Sequence, residues 1–150
     1  MKLLRSNVLL VAGAAFLFAG CDLALDPSEQ LEGFYDYAGT VYNEPGFSVN
    51  GQMDIRQTYR DDADAEIEWN FYEGSRRVVA IETIRAVPVD VDYDGRFRFV
   101  VEGELDVGGG QYRDFRLIHD GHRSGRSLRG TWRLITDLPS DDSGTFTARR

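Results

Sequence analysis

Asp64-Ala65-Glu66-Ile67-Glu68-Trp69-Asn70-Phe71-Tyr72 is the stretch that decides the fold class. In an extended chain side chains alternate between two faces, so Ala65, Ile67, Trp69 and Phe71 share one face while Glu66, Glu68 and Asn70 share the other. That is a half-buried antiparallel strand. Phe97, Phe99, Val101 and Leu105 alternate with Arg98, Glu102 and Glu104 in the same way. Working outward, the pattern returns at Tyr35, Tyr37 and Val41, at Met53, Ile55 and Tyr59, and at Phe115 and Leu117. Leu128, Trp132 and Leu134, then Phe146 and Ala148, complete it. Arg76 to Ala86 is apolar on both faces through Val78, Val79, Ala80, Ile81 and Ile84, which fits a central strand or one packed beneath the N-terminal segment.

Turn-forming clusters separate these runs: Glu44-Pro45-Gly46, Asp61-Asp62, Glu73-Gly74-Ser75, Asp94-Gly95, Gly108-Gly109-Gly110, Asp120-Gly121, Ser124-Gly125 and Ser140 to Gly144. Glycine and aspartate supply the positive φ and the local side-chain bonds that tight turns need. No helical period competes beyond Cys21. The expectation is an all-β fold, an antiparallel up-and-down barrel of about eight strands, with a β-sandwich as the alternative way to hide one apolar face.

The chain has 150 residues, enough for one domain, with 17 basic and 25 acidic residues and a single cysteine. A lone cysteine rules out an internal disulfide framework. Mean hydropathy of −0.36 with 28% charged residues rules out a polytopic helical membrane protein. Residues 21–150 carry 15 basic against 25 acidic groups, a formal charge of −10. Nucleic acid is not an expected partner, since binding it requires a basic footprint.

Residues 1–7 form a short basic segment, and Val8 to Ala19 is an uncharged apolar run ending in small residues. This is signal-peptide architecture, and the uncharged stretch from Ser6 to Cys21 is shorter than the ~20 residues a spanning helix needs. Leu17-Phe18-Ala19-Gly20-Cys21 resembles the lipobox of bacterial lipoproteins. The resemblance implies cleavage between Gly20 and Cys21 and acylation of the Cys21 thiol, with palmitate as a chain it would carry. Two or three acyl chains would anchor the protein to a lipid bilayer, because each buried CH₂ contributes ~0.8 kcal/mol. The organisation expected is a signal peptide over 1–20, a lipidated tether over 21–32 and a barrel domain over 33–150. The address is then the bacterial cell envelope. Asp22 resembles the inner-membrane retention signal of enteric bacteria, and the choice between inner and outer membrane stays open.

Gly33-Phe34-Tyr35 near the domain start, and Leu128-Arg129-Gly130-Thr131-Trp132 before the last strand, resemble the opening and closing strands of lipocalin-like and avidin-like barrels. The resemblance implies a closed barrel with one ligand in its mouth. Residues expected to point inward, and to line any such ligand, are Tyr35, Tyr37, Tyr59, Trp69, Phe71, Phe97, Phe99 and Trp132. They are bulky enough to fill a narrow barrel.

Asp90-Val91-Asp92-Tyr93-Asp94-Gly95 matches the first half of a calcium loop, with Asp90, Asp92 and Asp94 as candidate ligands. The bidentate acid is missing, since the required position is Val101. A hairpin turn at Asp94-Gly95 is the expected reading, and no metal is assigned. His119-Asp120-Gly121-His122 holds both histidines, yet no third soft donor completes a zinc site, and Asp120-Gly121 also reads as a turn. No nucleophile elbow or phosphate-cradling loop is present, so no catalytic residue and no cofactor are expected. Arg113, Arg116, Arg123, Arg126, Arg129 and Arg133 form either a basic patch or a set of partners for Glu66, Glu68, Glu102 and Glu104. Two readings remain: an interaction or structural module meeting an envelope protein, or a lipocalin-like carrier of a small apolar ligand.

Overall fold

The computed structural model describes residues 27–59, 62–106, 109–137 and 142–150. Residues 1–20, read above as a signal peptide, and Cys21 lie outside the described residues. A short helix α1 (Pro27–Leu31) precedes nine strands: β1 (Gly33–Val41), β2 (Phe47–Tyr59), β3 (Asp62–Glu73), β4 (Arg76–Glu82), β5 (Val87–Val91), β6 (Arg96–Asp106), β7 (Tyr112–Ser124), β8 (Ser127–Thr136) and β9 (Asp142–Arg149). Every pairing among the described residues is antiparallel. Eight strands close a ring in the order β1, β2, β3, β5, β6, β7, β8, β9 and back to β1, while β4 hangs on β3 outside that ring. Closure is how an amphipathic sheet hides its apolar face and removes its edges.

The inward register follows the alternation read from the sequence. Tyr35 and Tyr37 on β1, Met53 and Ile55 on β2, and Ala65, Ile67, Trp69 and Phe71 on β3 are all buried. So are Phe97, Phe99 and Val101 on β6, Leu117 and His119 on β7, Leu128 and Trp132 on β8, and Phe146 on β9. Glycines stand beside the largest of these rings. Gly51 lies between Tyr37 and Trp69 in the sheet, and a Cβ there would fall 1.8 Å from the Glu68 carbonyl oxygen. Gly144, across from Trp132, would place a Cβ 1.7 Å from the Thr40 carbonyl oxygen. Large and absent side chains thus alternate across neighbouring strands, which lets the wall bend tightly around a dense core.

Three expectations need correction. Arg76 to Ala86 is not a central strand: among the described residues β4 pairs only with β3, and its Val78 is 44% exposed; residues 21–26 of the tether, its other expected cover, fall outside the described residues. Asp120-Gly121 is not a turn, because β7 runs straight through it. Gly121 is an inward position where a Cβ would meet the Phe97 ring at 2.6 Å, and the chain turns instead at Gly125, whose φ is 64°. Finally, Pro27–Leu31 is not free tether. Leu31 and Ser28 are fully buried, Tyr35 Oη donates to the Leu31 carbonyl at 2.7 Å, and Arg123 Nη1 donates to the Gln30 carbonyl at 2.7 Å. These bonds use carbonyls that the end of a helix leaves open. The folded unit therefore reaches back to Pro27 rather than beginning at Gly33.

Candidate functional site

The barrel interior is the first place a ligand could sit, and rings occupy it. Trp69 meets Trp132 edge-on with centroids 5.3 Å apart, and Tyr37 stacks on Phe146 at 5.0 Å. Phe99 stacks on His119 at 4.6 Å, and Phe97 lies 6.3 Å from Phe99. Such offset and edge contacts fit the quadrupoles of aromatic rings. Tyr35, Tyr37, Trp69, Phe71, Phe97, Phe99 and Trp132 all point inward and touch one another or the barrel wall. Tyr59, expected among them, does not: it is 68% exposed. The register of β2 against β3 shifts between Gln57 and Tyr59, so the alternation that buries Met53 and Ile55 ends before it.

Among the described residues, His119 is the one basic side chain buried in this core. It shares a hydrogen bond of 3.1 Å between its Nε2 and Tyr37 Oη, while its Nδ1 and the indole nitrogen of Trp69 have no partner among the described residues. Burial lowers its pKa to about 3, so the imidazole is neutral under ordinary conditions. Burial also holds the Tyr37 phenol well above its usual range. A neutral imidazole bonded to a neutral phenol is a polar pair within the packing. The sequence did carry its signal, since His119 falls in phase with Phe115 and Leu117.

The Asp90, Asp92, Asp94 cluster closes a turn. Asp92 Oδ1 accepts from the backbone N–H groups of Asp94 at 3.0 Å and Arg96 at 2.9 Å, and Gly95 takes φ 71°. Among the described residues, no three His, Cys, Asp or Glu side chains converge as a metal site. His119 and His122 lie an odd number of residues apart on one strand, so they face opposite sides of the wall and cannot share an ion.

Grooves mark the outside, and two of them lie along β6. One, of about 910 Å³, runs over β5 to β9 and gathers Arg96, Arg98 and Arg129 with Asp90, Asp92 and Asp120. Arg98 and Asp120 pair there at 3.1 Å, so neither sign of charge prevails. The other, of about 560 Å³, lies between the Glu82–Val87 segment and β6. Of the arginine series, Arg116 pairs with Glu102 across β7 and β6 at 2.7 Å, and Arg123 holds α1 and the Gly125 carbonyl. These two belong to the charge-partner and structural roles rather than to a patch.

No protein-family model matches the chain, and no curated protein matches it. Among solved structures the chain is similar to a redesigned β-barrel, mFAP1, bound to DFHBI, with a TM-score of 0.56 and 14% identity over 83% of this chain and 98% of that one. It is also similar to a fluorescence-activating β-barrel obtained by de novo design, at TM-score 0.53 and 13% identity over 83% and 98%. A third, the redesigned barrel mFAP0 bound to DFHBI, gives 0.51 and 17% over 80% and 98%. At such identities the likeness concerns the fold, a small closed β-barrel.

Proposed function

We propose that this chain is a bacterial envelope lipoprotein whose barrel serves as an interaction and structural module held at a bilayer by acylated Cys21. The barrel's part in this rests on one observation: Trp69, Trp132, Tyr35 and Phe99, the largest inward side chains, are each less than 2% exposed. A carrier of small ligands keeps a cavity of roughly 300 Å³ or more, and here rings stand where that ligand would be. The carrier reading draws on the lipocalin-like resemblance of the sequence and on the two DFHBI-bound designed barrels. It is the weaker one. No residue is assigned a catalytic role, and the anchor is read from Leu17 to Cys21.

Two measurements test the proposal. Radiolabelled palmitate should enter the protein in cells and Cys21→Ser should abolish the label, whereas unchanged labelling in that variant removes the anchor. In-cell crosslinking from the barrel surface should capture one specific envelope protein. Recovery of none removes the interaction role.

A further inference from the structure

The ring of strands is joined between β5 and β6 by only two register pairs, Asp90 with Arg98 and Val91 with Phe97. Beyond them β6 continues to Asp106 with β7 on one side and, among the described residues, no strand on the other. β4 likewise pairs with β3 alone. The two free edges flank the groove of about 560 Å³, which has Val87, Val101 and Phe115 among its apolar lining and Glu82, Glu102 and Glu104 among its charged lining.

Backbone direction along these edges can be read from two bonds. Asp92 N–H donates to the Arg96 carbonyl at 2.9 Å, so Arg96 and Arg98 direct their backbone groups toward β5. In an unbroken antiparallel register the direction alternates, so Val100, Glu102 and Glu104 aim their N–H and C=O groups at the same side, where no described strand pairs with them. On the other edge Thr83 N–H donates to the Ile67 carbonyl at 3.0 Å, which turns Ile81 and Val79 toward β3 and leaves the backbone groups of Ala80 and Glu82 facing away from it, Glu82 at the groove. Natural sheets usually blunt an open edge with charge or cover it. Beside this one Ile84 is 98% exposed.

We propose that this seam receives an extended segment of a protein partner by strand addition, with apolar side chains turned toward Val101 and Phe115 and basic ones turned toward Glu82, Glu102 and Glu104. This rests on the reading of the barrel as an interaction module and names the surface it would use. Main-chain bonds would supply affinity and the alternation would supply specificity. Complementary charge selects the occupant, since the rim offers Glu82 and Glu104, with Glu102 shared with Arg116, against Arg85. A second copy of this chain would set the same acids against each other.

The test uses the full chain and a ten-residue synthetic peptide alternating valine and arginine, followed by residue-resolved amide hydrogen exchange. The amides of Ala80, Glu82, Val100, Glu102 and Glu104 should exchange rapidly without peptide and slow at least tenfold with it. Glu104→Arg, at an exposed position, should weaken the effect at least tenfold, and N-methylation of alternate peptide amides should abolish it. Protection of these amides without peptide, an equal effect from a valine–glutamate peptide, or an undiminished effect from the N-methylated one overturns the proposal. If the seam fails while crosslinking in cells still captures a partner, the interaction role stands and acts through another surface.

Discussion

His119 shows what one residue contributes here. Its pKa is about 3 in the folded chain against an ordinary 6.5, so between those values the unfolded chain binds the extra proton. Stability from this group is complete above pH 6.5 and drains away as pH falls toward 3, with a slope of up to about 1.4 kcal/mol per pH unit. Urea midpoints measured from pH 7 to 4 should therefore fall more steeply in the native protein than in His119→Leu. Equal slopes would remove the buried imidazole from the account. Gly144 makes a complementary point about space. Gly144→Ala should cost about 3 kcal/mol, at the upper end of overpacking penalties, because its Cβ would meet the Thr40 carbonyl at 1.7 Å. Gly46→Ala, with nothing within 4 Å, should change the denaturation midpoint little. The inward ranks at Trp69, Phe99 and Trp132 were legible because large rings alternate with polar neighbours. Tyr59 was not, since a register shift in β2 leaves no mark on a period-two pattern.

At the scale of elements the strands announced themselves and their pairing did not. Arg76 to Ala86 is apolar on both faces, a pattern that a central strand and an uncovered edge share; only the pairing of β4 with β3 alone distinguishes them. Asp120-Gly121 has the composition of a turn, yet Gly121 is there because Phe97 fills the space its side chain would take. Helix α1 is too short to show a period, and its packing involves Leu31 and bonds from Tyr35 and Arg123 to its carbonyls and from Gln57 Nε2 to Ser28 Oγ at 3.2 Å. Leu31→Ala should lower global stability by ~2–4 kcal/mol, read from urea unfolding of the full chain. An unchanged midpoint would mean that α1 lifts off without disturbing the barrel.

For the molecule as a whole, a ring of eight strands filled by aromatic side chains should give no saturable signal with an apolar fluorophore such as anilinonaphthalene sulfonate. A stoichiometric, displaceable signal from the folded protein would revive the carrier reading. The barrel class was within reach of the sequence because closure is the common answer to one apolar face on eight short strands. The open seam was out of reach, since it depends on where β5 stops pairing with β6. The docking of α1 bears on how an acylated chain would be held. Its bonds to Tyr35 and Arg123 put it at the rim where β1 starts and β7 ends, and the β4 and β6 edges run toward the opposite rim. Should Cys21 carry acyl chains as proposed, six peptide steps to Pro27 allow a leash of about 20 Å at most, roughly 3.3–3.6 Å per residue. The capped rim would then be moored close against the headgroups, with the unzipped side of the wall held outward, within reach of whatever crosses the space above.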